Sequence, residues 1–335
     1  MKLGIVGATG VVGQEAWRLA SEILGAKDLE VVGFASTART TDDGKNIHAL
    51  EESVEEIQSC DFVINAANAD QAKWLSGKLG PNSFLVDNSS AFRMNEDIPL
   101  VVPEVNGHLL SDYSGKIVAN PNCTAAILCV AMNALKPFGL KRAVVSTYQA
   151  ASGAGLPGLE ELKSQLRQWD SPVDTWNTEV FGEPLILNVL SHNSMARMDP
   201  DGEAFLYNDE EFKVVEESQK ILDLKDLWIS ATCVRVPVIR AHAESVTVDL
   251  EKEVNLDTIQ EAFAQAPGLK IVDEPLKRSF PSPQKAQDQD DVLVGRIRQD
   301  LLHKKTWHFF IAGDQLRKGA ATNALQIVKV LRDRG

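Results

Sequence analysis

Short apolar runs alternate with amphipathic stretches through the first third of the chain. LGIVG (3–7), EVVGFAS (30–36), DFVINAA (61–67), FLVDNS (84–89) and KIVAN (116–120) are near-continuous apolar segments, the pattern of strands buried on both faces of a parallel sheet. Between the first two, VVGQEAWRLASEIL (11–24) carries its apolar residues at helical spacing. This alternation predicts a doubly wound α/β domain with right-handed crossovers.

After residue 120 the pattern changes. CTAAILCVAMNALKPFG (123–139) predicts a helix stopped by Pro137 and Gly139. RAVVSTYQAASGAG (142–155) predicts a strand ending in a glycine-rich turn, and GLEELKSQLRQW (158–169) a helix. WISATCVRVPVIRAHAESVTVDLE (228–251) is a long β-rich stretch in which Pro237 marks a bulge or an edge. LDTIQEAFAQA (256–266) predicts a helix, VLVGRIRQD (292–300) and TWHFFIAGD (306–314) further strands, and QLRKGAATNALQIVKVLRD (315–333) a terminal helix. The polar run QKAQDQDD (284–291) predicts a mobile loop. The expected architecture is a Rossmann-type domain, 1–122 plus 313–335, with an α+β domain of mixed sheet, 123–312, inserted before a returning C-terminal helix.

The 335 residues suffice for two such domains, and 44% apolar with 24% charged residues is ordinary globular composition. A net charge of −13 argues against nucleic acid and anionic membranes as general partners, while leaving small anionic ligands open to a local Arg/Lys cluster. No apolar run reaches the ~20 residues of a membrane span, and no basic, apolar leader precedes the first strand. Cys60, Cys123, Cys129 and Cys233 lack zinc or disulfide spacing. A cytoplasmic enzyme with free thiols and no metal is expected.

Three patterns carry chemistry. GATGVVG, residues Gly7, Ala8, Thr9, Gly10, Val11, Val12 and Gly13, joins the first strand to the first helix, where glycine lets backbone N–H groups approach a pyrophosphate. At the end of the second strand, FASTART offers Ser36, Thr37 and Arg39 in place of the acid that usually holds an NAD ribose, so the expected cofactor is NADP(H). Cys123 follows ANPN at a helix start, where Asn120 or Asn122 is placed to cap and the helix field favours thiolate; plain packing is the alternative for a lone cysteine. A thiol nucleophile needs a proton partner. Of six histidines, His242 stands in a β-rich segment seven residues after Arg235. Odd spacing on one strand puts these two on opposite faces, so a bend at Pro237 is required if both reach one site.

Taken together, GATGVVG (7–13), DNSSAFRM (87–94), VVPEVN (101–106), NPNCT (120–124), TYQAASGAG (147–155), EEFK (210–213), RVPVIRAH (235–242), VGRIRQD (294–300) and KGAATNA (318–324) resemble aspartate-semialdehyde dehydrogenases over nearly the whole chain. The resemblance implies reduction of L-aspartyl-4-phosphate to the semialdehyde and phosphate through a Cys123 thioester, in lysine, threonine and methionine biosynthesis. It implies proton exchange by His242, substrate orientation by Gln149, and an α-carboxylate contact for Arg235. Glu210 would meet the α-ammonium, Arg93, Asn122 and Lys213 the phosphate, and Ser152 and Gly153 the cofactor. Glu210 and Lys213 share one helical face. A homodimer, with a tetramer also open, follows by the same likeness. Asn65-Ala66-Ala67-Asn68 departs from the family's Ser-Ala-Gly-Gly type turn, and 185–205 and the spacing of FASTART also depart from it. The rival readings are N-acetyl-γ-glutamyl-phosphate reductase, glyceraldehyde-3-phosphate dehydrogenase and a non-catalytic paralogue; NPNCT, Arg235 and EEFK favour the first resemblance.

Overall fold

The structure, a computed structural model, describes residues 1–192, 194–198 and 204–334, and only the backbone of residues 204 and 205. Two compact units form, Met1–Cys123 with Gly319–Gly335, and Thr124–Lys318.

The first unit contains β1 (Lys2–Val6), α1 (Val11–Leu24), β2 (Glu30–Ala35), β3 (Arg39–Thr40), β4 (Asn46–Ala49), α2 (Val54–Gln58), β5 (Phe62–Asn65), α3 (Ala69–Ser76), β6 (Phe84–Asp87), α4 (Pro103–Asn106) and β7 (Ile117–Ala119). Its seven-stranded sheet runs β3-β4-β2-β1-β5-β6-β7. All neighbours are parallel except the β3–β4 pair. Both faces are apolar, as a sheet covered on two sides requires: Leu3 and Ile5 join one core, Val6, Val63 and Leu85 the other. Strand order reverses at β1, so the ends of β1, β2 and β5 form the crevice where such sheets take ligands.

The second unit holds α5 (Cys123–Asn133, whose first residue is counted with the first unit), β8 (Leu140–Gln149), α6 (Gly155–Arg167), β9 (Ala196–Met198), β10 (Ala204–Asn208), α7 (Asp209–Leu222), β11 (Trp228–Arg235) and β12 (His242–Leu250). It continues with α8 (Leu256–Gln265), β13 (Leu269–Ile271), α9 (Pro283–Ala286), β14 (Val292–Gln299) and β15 (Thr306–Gly313). The mixed six-stranded sheet runs β11-β8-β12-β15-β14-β13, and β9 pairs with β10 as a separate hairpin. Alternation along β8 and β12 buries Ala143, Val145, Val246 and Val248 on one face, while Tyr148 and Thr247 point away from it. α5 packs on that buried face: a Cβ on Gly313 would fall 2.9 Å from Ile127.

The returning helix α10 (Thr322–Asp333) belongs to the first unit, where Ala324, Leu325, Val328 and Leu331 pack with Leu3, Ala16 and Leu19. It is preceded by a π-turn, Arg317–Ala321, rather than running unbroken from Gln315. The polar run 284–291 is not a free loop. Ser282 caps α9, Asp288 N–H donates to Asp314, Arg240 pairs with Asp288 and Arg317 with Asp290. Among the described residues no helix is long and apolar enough to cross a membrane, and no cluster of acids, histidines and cysteines fit to hold a metal occurs.

Candidate active site

Cys123 is the first residue of α5 and is half-buried, whereas Cys60, Cys129 and Cys233 are fully buried. Burial pushes the thiols of Cys60 and Cys129 up to about 12 and that of Cys233 higher still, so none of the three supplies thiolate near neutral pH. The helix behind Cys123 is apolar on every side and is buried throughout Thr124–Met132, so its start cannot slide relative to the sheet it packs on. Asn120, one of the two expected caps, instead accepts a 2.7 Å bond from Asn323 through its side-chain oxygen.

The end of β8 gathers the second unit's candidate residues. Parallel register sets Gln149 beside Arg235, the last residue of β11. On the other side Ala243 pairs with Tyr148, so His242 begins β12 next to the same strand end. The bent single strand expected around Pro237 is therefore replaced by two strands flanking β8, with Pro237 in their connection. That arrangement removes the parity objection, because the two residues no longer share one strand. Arg235 Nη1 donates to the Ala150 carbonyl at 2.7 Å, and the Ala150 N–H donates to His242 Nδ1 at 3.0 Å.

A backbone N–H can only donate, so Nδ1 accepts and the neutral ring carries its proton on Nε2. Nε2 faces no hydrogen-bond partner among the described residues. Burial first, and the Arg235 charge second, hold the His242 ring well below the usual imidazole range. Gly153 lies over this pair: a Cβ there would stand 2.9 Å from Arg235 Nη1 and 3.0 Å from His242 Cε1. Ser152 turns its hydroxyl to the Ile239 carbonyl and to Gln315.

Gln149 Nε2 donates to Thr124 Oγ1 at 2.9 Å and to Glu210 Oε1 at 3.1 Å. Glu210 comes from α7, whose start is fixed by a capping box between Asn208 and Glu211. One turn on, Lys213 Nζ lies 3.6 Å from Glu210 and 2.6 Å from Asp209, so the shared helical face read from EEFK is present. Gln149, Arg235, His242, Glu210, Lys213, Ser152 and Gly153 thus all belong to the second unit.

Sequence reading assigned nothing to Thr124, Thr147 or Glu244. Glu244 is two residues past His242 on the same strand face, a relation the two-residue period of a strand makes visible. It is fully buried, neither oxygen has a partner among the described residues, and burial raises its carboxyl well above the usual range.

In the first unit, Gly7 adopts φ +76°, and a Cβ on Gly13 would fall 2.2 Å from the Gly7 carbonyl oxygen. At Gly10 no outside atom lies closer than 3.4 Å to such a Cβ, which leaves room over the turn. This is a glycine cradle fit for a pyrophosphate. Ser36, Thr37 and Arg39 are exposed, and Arg39 Nη2 donates to Thr9 Oγ1 at 3.1 Å, placing the guanidinium over the cradle. The Asn65–Asn68 turn lies against the cradle, since a Cβ on Gly7 would meet the Ala66 carbonyl oxygen at 2.8 Å. Asn65 is anchored to Asp87 at 2.8 Å, and Asn68 caps α3. Arg93 is buried and spans the Asn120 carbonyl at 3.0 Å and the Asn88 carbonyl at 2.7 Å; Asn122 is buried beside Cys123 in the chain.

A glycine cradle at the switch point of a Rossmann sheet, with a mixed-sheet unit built around an Arg, a neutral His and a Gln, defines a semialdehyde dehydrogenase. Family models described as "Semialdehyde dehydrogenase, NAD binding domain" and "Semialdehyde dehydrogenase, dimerisation domain" match residues 2–113 and 132–318. The aspartate-semialdehyde dehydrogenase of Synechocystis sp. is 40% identical, across 100% of this chain and 98% of its own length. That of Aquifex aeolicus is 37% identical, across 100% and 98%. Aspartate semialdehyde dehydrogenase II of Vibrio cholerae, solved in complex with ASA, superposes with TM-score 0.89 at 31% identity, covering 99% of this chain and 98% of that one. The chain belongs to the aspartate-semialdehyde dehydrogenase family.

Proposed function

We propose that the chain interconverts L-aspartyl-4-phosphate and L-aspartate-4-semialdehyde with phosphate, using NADP(H), through a thioester on Cys123. The family membership sets the reaction class, oxidoreduction at an aldehyde group. One observation carries the assignment of residues: Gln149 bridges Thr124, the neighbour of Cys123 in the chain, to Glu210, while Arg235 and His242 flank the same strand end. This is an acceptor–donor set matched to an amino-acid side-chain carbonyl.

In the reductive direction the Cys123 thiolate attacks the acyl carbon, the C–O bond to phosphate breaks, and phosphate leaves with its bonding electrons. Bound nicotinamide supplies the hydride that takes the thioester to the aldehyde level. Collapse of the resulting tetrahedral centre returns the electron pair to sulfur and restores the thiolate. His242, neutral and protonated at Nε2, gives a hydrogen bond to the oxygen that gains charge in both steps. Arg235 meets the α-carboxylate with its planar fork, and Glu210 the α-ammonium. Arg93, Asn122 and Lys213 hold phosphate, Lys213 moving from Asp209 towards the anion.

Gly7 to Gly13 would cradle the cofactor pyrophosphate, and Ser152 and Gly153 would meet the cofactor. Ser36, Thr37 and Arg39 would hold a 2′-phosphate, which makes the cofactor NADP rather than NAD. Residues 1–122 with 313–335 act as the cofactor domain and 123–312 as the catalytic and dimerisation domain of a cytoplasmic homodimer. The test is NADPH formation from aspartate semialdehyde and phosphate, with Cys123→Ser as control. Turnover only with N-acetylglutamate semialdehyde, or with neither aldehyde, would falsify the assignment.

A further inference from the structure

The connection from β11 to β12 bends sharply just before His242. Ala241 holds φ +72°, in the left-handed region that a residue with a side chain enters only at a cost in free energy. Such a bend must be held from outside. The holder is Gln315, just past the end of β15, whose Oε1 accepts the Ala241 N–H at 2.7 Å. A backbone N–H can only donate, so this contact fixes which end of the carboxamide is the oxygen. Holding that N–H fixes the peptide plane from which φ turns, and with it the direction in which the chain enters His242.

The other end of the carboxamide is determined too. Gln315 Nε2 donates to Ser152 Oγ, and the Ser152 hydroxyl donates to the Ile239 carbonyl. Gln315 is buried, so bulk water competes for neither end. Together the two side chains grip the Ile239 carbonyl on one side of Arg240 and the Ala241 N–H on the other. Arg240 Nε is itself anchored to Asp314 at 2.7 Å, yet that anchor acts through a long side chain and does not set the backbone angle at Ala241. The Ala150 N–H, 3.0 Å from His242 Nδ1, orients the ring about its own side-chain bonds. It can do so only when the Cα–Cβ bond of His242 already points at the end of β8.

We infer that Gln315 is a positioning residue for His242: by accepting the Ala241 N–H it holds the left-handed bend that aims the imidazole at the end of β8. The inference rests on the role given to His242 above. Without the acceptor a buried N–H is left unsatisfied, and Ala241 relaxes towards the ordinary negative φ. That rotation carries the His242 side chain away from the Ala150 N–H. Gln315 acts on His242 through the chain, and the inference gives it no contact with the reacting atoms.

The experiment compares the full-length wild type with Gln315→Met, close in size but without the acceptor, and with Gln315→Glu. Glutamate offers an oxygen to the Ala241 N–H whether it is ionised or protonated. His242 is read directly from the ring-nitrogen signals of protein labelled with ¹⁵N-histidine, at neutral pH, assigned by their loss in His242→Asn. In the wild type these signals show the tautomer with its proton on Nε2 and Nδ1 accepting. In Gln315→Met they shift towards a mixture of the two tautomers, and kcat falls by roughly 10- to 100-fold. Gln315→Glu keeps the wild-type tautomer and a kcat well above that of Gln315→Met. Wild-type ring signals in Gln315→Met overturn the inference, and weaker NADP binding beside them gives Gln315 to the cofactor through Ser152 instead. A Gln315→Glu variant that matches Gln315→Met overturns it as well. Should Gln315→Met fail to fold, Gln315→Leu takes its place on the same terms. A wild type inactive on aspartate semialdehyde sinks the functional reading, and the ring signals still decide the positioning role.

Discussion

Arg235 and His242 are joined through the backbone of a single residue: the Ala150 carbonyl accepts from Arg235 and the Ala150 N–H donates to the His242 ring. Neither side chain can turn without releasing its bond to the end of β8. The cover over the pair is equally strict, because Gly153 leaves no room for a methyl group beside either one.

Gly153→Ala should therefore push Arg235 and His242 apart. We expect kcat/KM for aspartate semialdehyde to fall by roughly 100-fold, the effect of a displacement near 1 Å at a reacting centre. The melting temperature should shift by only a few degrees. Steady-state kinetics beside a thermal melt check this, and an unchanged kcat/KM rejects the steric reading of Gly153.

Thiol labelling separates Cys123 from its companions. Under native conditions one thiol should react rapidly with iodoacetamide and the remaining three slowly, because those three are buried. Mass spectrometry of the labelled protein reads the count. Cys123→Ser should abolish both the fast label and the NADP-linked activity.

Arg39→Ala should raise the NADP KM by about tenfold or more while leaving the NAD KM nearly unchanged, since a guanidinium pairs with a 2′-phosphate that NAD lacks. Equal changes for both cofactors would show that Arg39 serves only to brace Thr9.

Glu244 sets a pH dependence whose sign is fixed by its burial. Its folded-state carboxyl titrates well above the unfolded value, so the folded chain holds a proton that the unfolded chain releases. The stabilising proton is fully bound in both states below the unfolded carboxylate range, and the advantage is lost as pH rises through the folded value. Glu244→Gln, a neutral isostere, should flatten the alkaline side of a plot of melting temperature against pH. His242 works in the opposite sense: its lowered folded value makes stability fall as pH drops below the ordinary imidazole range, and His242→Asn should flatten that acid side.

The parallel sheet was legible because strands buried on both faces must be apolar along their length, and the boundaries of α1 coincide with the amphipathic segment 11–24. Cys123 at a helix start, and Glu210 with Lys213 on one helical face, follow from local spacing in the same way. The relation of Arg235 to His242 was not legible, because it depends on β8 lying between two strands that are consecutive in sequence. Hydrophobic period says which face a residue takes, and nothing about which strand comes between. The anchoring of 284–291 was hidden for a similar reason: its aspartates look solvated until Arg240 and Arg317 arrive from distant segments.

The return of α10 has a consequence for the order in which the chain can fold during synthesis. Asn323 ties the Asn120 side chain and the Val101 carbonyl, and the helix lays Leu325, Val328 and Leu331 against residues from the opening strand and helix. Each such side chain, once buried, contributes ~1.5–3 kcal/mol. As the ribosome delivers the chain, β1 and α1 emerge long before α10 and wait for it to cover their apolar side. The first unit to be translated is thus the last to be completed, whereas Thr124–Lys318 is a continuous stretch that has its full sequence earlier. A stalled or truncated product lacking α10 would carry that uncovered flank into the cell, as a surface for chaperones or for aggregation.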